Sequence, residues 1–154
     1  MIAARRWLRA GLTFLAVTQG AAGAVQLLFP ELFYRDFPIQ THAWVAMLPP
    51  YNEHLMRDVG AGTLAYTLVL AVATITMERH MVRAALAANL AFSLPHFLFH
   101  AVHLGGMPLV DAITQTATLA LAVVLPAVLL IVSMRLGGIR CFCEKTTGRQ
   151  PWDP

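Results

Sequence analysis

Charge is what this chain has least of. Only 12% of its 154 residues are Asp, Glu, Lys or Arg, about half the share a soluble domain carries. That shortfall excludes an ordinary water-exposed surface. Cysteine is nearly absent, with two residues at Cys141 and Cys143, which excludes a disulfide-stapled scaffold. Low-complexity tracts and internal repeats are missing too, so linker and solenoid architectures fall away. The length admits one domain rather than two.

What fills the chain instead is apolar sequence in long blocks, 58% of the residues being hydrophobic. Four blocks, near 8–29, 55–77, 84–104 and 112–134, reach the roughly 20 residues a helix needs to cross a bilayer. Spans of that length are helices, because a bilayer leaves no backbone group to be satisfied by water. The breaks are Pro30 to Pro50, "MERHMVR" and "GGMPLVD". The sequence therefore predicts an all-α integral membrane bundle of four transmembrane helices.

Lys and Arg set the expected orientation. With the N-terminus inside, one face collects Arg5, Arg6, Arg9, Arg79, Arg83, Arg135, Arg140, Lys145 and Arg149, leaving Arg35 and Arg57 on the other. The positive-inside rule then gives N-in and C-in. Residues 30–54 form the outer loop, with Phe33, Tyr34, Phe37, Trp44 and Tyr51 suited to the headgroup region. Residues 135–154 form a basic cytoplasmic tail. The net charge of +3 is accounted for by lipid headgroups and calls for no nucleic acid. The first block, followed by Ala22-Gly23-Ala24, also has the outline of a signal peptide. Its apolar run continues through "VQLLF" to full spanning length, so an uncleaved helix is expected; a mature start at Val25 would contradict that. Cys141 and Cys143 read as free thiols of the tail, with S-acylation or half of a metal site as the sharper alternatives.

The stretch "SLPHFLFHAVHL" (93–104) concentrates the chemistry. At about 100° per residue, His96, His100 and His103 fall within roughly 60° of one another, with Asn89 and Ser93 on the same side. The stripe runs about 21 Å, and polar groups over that length face a bundle interior or a wet cavity rather than lipid. Pro95 lies within it and frees a backbone carbonyl near Ala91. The other spans offer similar faces: Gln19, Gly23 and Gln26 on the first, and His54, Asp58, Ala61 and Ala65 on the second, with Glu53 and Arg57 at its shoulders. On the fourth, Asp111, Gln115 and Thr118 align, flanked by Thr114. Most of these belong to the outer half of the membrane, which predicts that they converge there. His42 and His80 read as loop residues without a role.

Several chemistries fit such a cluster. Imidazoles and carboxylates are the usual ligands of transition metals. His96, His100 and His103 with Glu53, His54 or Asp58 supply a metal set, Arg57 holding a carboxylate in place. Haem between His54 and His96 or His100 is a second reading. Proton or quinone traffic is a third, and a lipid- or isoprenoid-acting enzyme with a His/Glu acid–base pair a fourth. Against all of these stands a non-catalytic accessory subunit whose polar core only specifies helix packing.

Three stretches, "FPELFYRDFP" (29–38), "PYNEHLMRDVGA" (50–61) and "LPHFLFHAVHL" (94–104), resemble those of a group of small bacterial four-helix membrane proteins, loosely DoxX-like. The resemblance implies a four-helix bundle in the bacterial cytoplasmic membrane. It also implies a membrane redox complex or a second copy of the chain as partner, some DoxX-like proteins being quinone-linked oxidoreductase subunits. The matching positions are Asn52, Glu53, His54, Arg57, Asp58 and Gly60, then His96, His100 and His103.

Overall fold

The computed structural model describes residues 2–48 and 50–136. Among them are four long helices, α1 (Ile2–Leu28), α3 (Glu53–Thr76), α4 (Arg79–Val102) and α5 (Leu109–Arg135), all long and apolar enough to cross a membrane. The expected tail with Arg140, Lys145, Arg149, Cys141 and Cys143 lies outside the described residues. Exposed apolar side chains such as Leu68, Ile75, Val102 and Ile113 lie along the outward faces of the long helices. A surface this apolar is stable against lipid rather than water.

The expected loop at 30–54 is more ordered than its prolines and aromatics foretell. It holds a short helix α2 (Pro30–Asp36), a two-stranded ribbon of β1 (Pro38–Ile39) and β2 (His42–Ala43), and a single 3₁₀ turn over Val45–Met47. Pro30 opens α2 at a position where its missing N–H costs nothing. Asn52 then starts α3, its Oδ1 accepting the Leu55 N–H at 3.0 Å, as helix N-caps do.

The α3–α4 turn is built from two residues. Met77 adopts the left-handed region (φ 50°), normally glycine's place, and its side chain is fully buried in the core. Glu78 caps α4, accepting the N–H groups of His80 and Met81 at 3.1 and 2.7 Å. These two amides hold its carboxyl below the ordinary carboxylate value of 4.5. A depressed folded pKa contributes stability that is complete above 4.5 and is lost as pH falls through the folded value. Thermal melts of the wild type should therefore drop on acidification between about pH 6 and pH 3 by more than those of Glu78→Gln. Equal drops would show that the cap does not govern this turn.

Packing is closest between α1 and α3 and between α4 and α5. A Cβ placed on Gly60 would fall 2.6 Å from the Leu27 nitrogen and 3.0 Å from the Gly23 oxygen. The two backbones touch there, as small residues permit in membrane helices. The bundle is divided along its length. At the end where α3 turns into α4, buried Leu8, Leu12, Leu15, Leu70, Ala73, Met77, Val82, Ala85, Leu86 and Leu129 form one apolar core. Toward the opposite end, which carries α2 and the ribbon, the buried side chains include Gln26, Thr63, Thr67, Asn89, Ser93, His100, Asp111 and Gln115.

Candidate functional site

The helical stripe read from the sequence is buried on α4 only in part: Asn89, Ser93 and His100 turn inward, whereas His96 and His103 are exposed. Asn89 is 0% exposed, Ser93 5% and His100 8%. Across the α4–α5 interface, Asp111 and Gln115 are buried to 3%, and Gln115 faces His100. Register between these antiparallel helices is fixed at the far end, where the Arg83 guanidinium donates to the Ser133 carbonyl at 3.2 Å. The polar seam of α4 is thus met by polar residues of α5 toward the loop end.

The histidines sit in a column of rings. Tyr66 of α3 lies 5.2 Å from Phe92, measured between centroids, and Phe92 stacks on His96 at 5.5 Å. His96 meets His100 edge-on at 4.5 Å, and Phe99 meets both His100 (5.7 Å) and His103 (4.1 Å). Spacings of four residues produce the contacts of Phe92 with His96, His96 with His100 and Phe99 with His103, since such neighbours stand over one another on a helix. Tyr66 also donates to Gln19 of α1, fastening the lower end of the column. His103 turns back on its own helix, with Nδ1 2.7 Å from the Phe99 carbonyl.

The column changes character along its length. His100 is buried, whereas His96 is exposed on the outward surface of the bundle. By helical rise His96 lies roughly 9 Å inside the loop end of α4, where an imidazole against lipid is costly and calls for a partner.

Several buried polar atoms take no hydrogen-bond partner among the described residues: both side-chain atoms of Asn89, Ser93 Oγ, His100 Nδ1, Gln115 Oε1, Thr67 Oγ1 and Thr116 Oγ1, and, at the end where α3 turns into α4, Arg79 Nε and Arg83 Nε. Each such group costs about 1–3 kcal/mol when left unpaired. Together they approach the whole stability of a small protein, roughly 5–15 kcal/mol.

The start of α3 is arranged otherwise. His54 and Asp58 pair with each other, Nε2 to Oδ2 at 3.4 Å, with their side chains 87% and 63% exposed. Ala61 and Ala65 share that exposed face, and the buried face is Gly60, Thr63 and Thr67. The expected stripe on the second span therefore points out of the bundle. The tight α1–α3 approach requires small residues at the contact, which turns the larger ones outward. Arg57 does hold a carboxylate as expected, Glu53 at 2.8 Å, and it also donates to the Leu27 carbonyl at 2.6 Å.

Two consequences follow for the expected ligand sets. Among the described residues, no three His, Cys, Asp or Glu side chains are placed to hold a metal ion. Glu53, His54 and Asp58 do not join His96, His100 and His103. With His54 turned outward, the two-helix histidine pair of the haem reading is not formed either. Glu53 lines a groove of about 250 Å³ with Phe29, Pro30, Glu31, Leu32, Tyr51 and Arg57; no histidine lines it, so the His/Glu acid–base pair is not assembled there. On α5, Thr118 is exposed and bonds to its own helix.

One residue given no role from sequence has one. His42 Nδ1 lies 2.8 Å from Asp111 Oδ1, and the Trp44 indole N–H donates to the same oxygen at 3.0 Å. Because a carboxylate only accepts, the His42 proton is assigned to Nδ1. The segment after α2 is thereby clamped onto the first turn of α5. Two signals anticipate it. Asp111, at the head of a very apolar helix, needs donors, and residues two apart on extended backbone share a side.

Compared with known families, curated proteins and solved structures, the chain matches no family model, no curated protein and no solved structure.

Proposed function

We propose that the chain serves membrane redox chemistry as an accessory protein, its α4 ring column taking the head of a lipid-soluble quinone. The bacterial cytoplasmic membrane, an N-in and C-in orientation and a place among DoxX-like proteins belong to the same proposal. One observation carries it. His96, exposed on the outward surface, touches His100, which is buried and keeps Nδ1 without a partner among the described residues. A quinone matches that pairing: its flat ring suits the aromatic wall of Phe92 and Phe99, its carbonyls accept from imidazole N–H groups, and its isoprenoid tail stays in lipid.

The competing reading, a polar core that only fixes helix packing, is disfavoured by the unpaired atoms of Asn89, Ser93 and Gln115. Titration of purified protein with a short-tailed benzoquinone tests the proposal. His100→Leu should weaken binding about tenfold, the equivalent of roughly 1.4 kcal/mol, and His96→Phe should weaken it similarly while preserving ring stacking. Unchanged affinity in both variants would refute the proposal. So would a stoichiometric metal or a Soret band in the wild type, either of which would make the histidines metal or haem ligands.

A further inference from the structure

We infer that the α4–α5 seam is a blind shaft for water, open at the end that carries α2 and closed at mid-membrane. It rests on the site reading above for its use and shares His100 with it; the shaft itself stands on the burial and depth of Asn89, Ser93 and Gln115, which do not depend on a bound ring. Asn89, Ser93, His100 and Gln115 are each more than nine-tenths buried, and each keeps at least one side-chain N or O without a partner among the described residues. They are ordered by depth. His100 and Gln115 stand near the loop end, Ser93 about two turns deeper, and Asn89 one turn deeper again, roughly 15 Å from the start of α4.

A backbone group extends the series. Pro95 in α4 and Pro126 in α5 each remove the N–H that the carbonyl four residues earlier would accept. The Ala122 carbonyl, one turn before the fully buried Pro126, therefore stands without its helical donor toward the middle of α5; the Ala91 carbonyl is freed likewise but on the exposed face of α4, outside the seam.

The chemistry of the lining selects the guest. Hydroxyl, amide and imidazole groups both donate and accept, none carries a fixed charge, and such a lining suits water rather than an ion. Asp111, the carboxylate at the loop end of this seam, is already held by His42 and Trp44, and no cation or anion has a counter-charge among Asn89, Ser93 and Gln115. Below Asn89 the bundle is closed by the apolar core, with Leu12, Leu70 and Leu86 all at 0% exposure. Water thus enters from one end and stops.

That asymmetry gives the shaft a use. His100 stands in it and touches His96 at the lipid side. A proton taken up by the imidazole pair comes from the shaft's water and returns to it, so the pair exchanges protons with one side of the membrane only.

Water-edited solid-state NMR on ¹⁵N-labelled protein in phosphatidylethanolamine–phosphatidylglycerol vesicles tests the inference directly. Magnetisation from water should reach the Asn89 side-chain amide and the His100 ring at rates comparable to His103, and several-fold faster than the Leu86 amide. Ser93→Leu should plug the shaft midway, slowing transfer to Asn89 several-fold while sparing His100. Asn89 and His100 as slow as Leu86 in the wild type would show a dry seam and overturn the inference. Ser93→Leu leaving Asn89 unchanged would also overturn it, because water would then arrive by another route. Loss of quinone binding with water transfer intact removes the ring partner and leaves the shaft standing.

Discussion

Gly60→Val should be among the most damaging single substitutions in this protein. A Cβ at Gly60 falls 2.6 Å from a backbone nitrogen and 3.0 Å from a backbone oxygen of α1. Side chains relieve such overlaps by changing rotamer; backbone cannot, so α1 and α3 must separate. Overpacking usually costs about 1–3 kcal/mol, and the backbone contact places this variant at or above the upper end. Gly62 is the control, since nothing lies within 4 Å of a Cβ there. Gly62→Ala should be neutral or stabilising by up to about 1 kcal/mol through helix propensity. Thermal unfolding in detergent, followed by helical circular dichroism, separates the two. If Gly60→Val melts with Gly62→Ala, the close α1–α3 crossing is wrong.

Asp111→Ala should release the segment that follows α2. The carboxylate is buried and accepts from both His42 and Trp44, and hydrogen bonds to a charged group are worth about 1.5–3 kcal/mol each. Asp111→Asn keeps one carbonyl oxygen and should lose less. His42→Ala should lose least, because Trp44 still reaches the carboxylate. With Trp7 and Trp152 replaced by phenylalanine, Trp44 is the remaining indole, and its fluorescence should shift to the red in Asp111→Ala. Protease cleavage between residues 37 and 52 should accelerate in the same order. Unchanged emission and cleavage in Asp111→Ala would mean that the clamp does not hold the segment.

The four spans were legible because apolar length alone decides them. Their starts were less so: α1 begins at Ile2 and α4 at Arg79, ahead of the apolar blocks, because arginine continues a helix well even where the bilayer has ended. The polar stripe of α4 was legible in part for the same periodic reason: Asn89, Ser93 and His100 are buried as expected, while His96 and His103 turn outward. The α3 stripe of His54 and Asp58 does not face inward as the cost of polar groups in lipid suggests, because both lie at the start of the helix, where they are exposed and pair with each other. In membrane helices small residues mark the contact, so Gly60, Thr63 and Thr67 face inward while His54 and Asp58 do not. The clamp was legible only as a need, Asp111 at the head of an apolar helix requiring donors; that His42 supplies one from 69 residues away depends on a fold in the segment after α2 that no periodicity encodes.

The most direct test of the account is chemical analysis of wild-type protein purified from membranes without chelator or nickel resin. The organic extract, metal content and ultraviolet–visible spectrum would be measured on one sample. The account predicts a lipid-soluble quinone near one per chain, lost on extraction of the His96→Phe/His100→Leu double variant. An extract free of quinone from correctly folded wild type would contradict it.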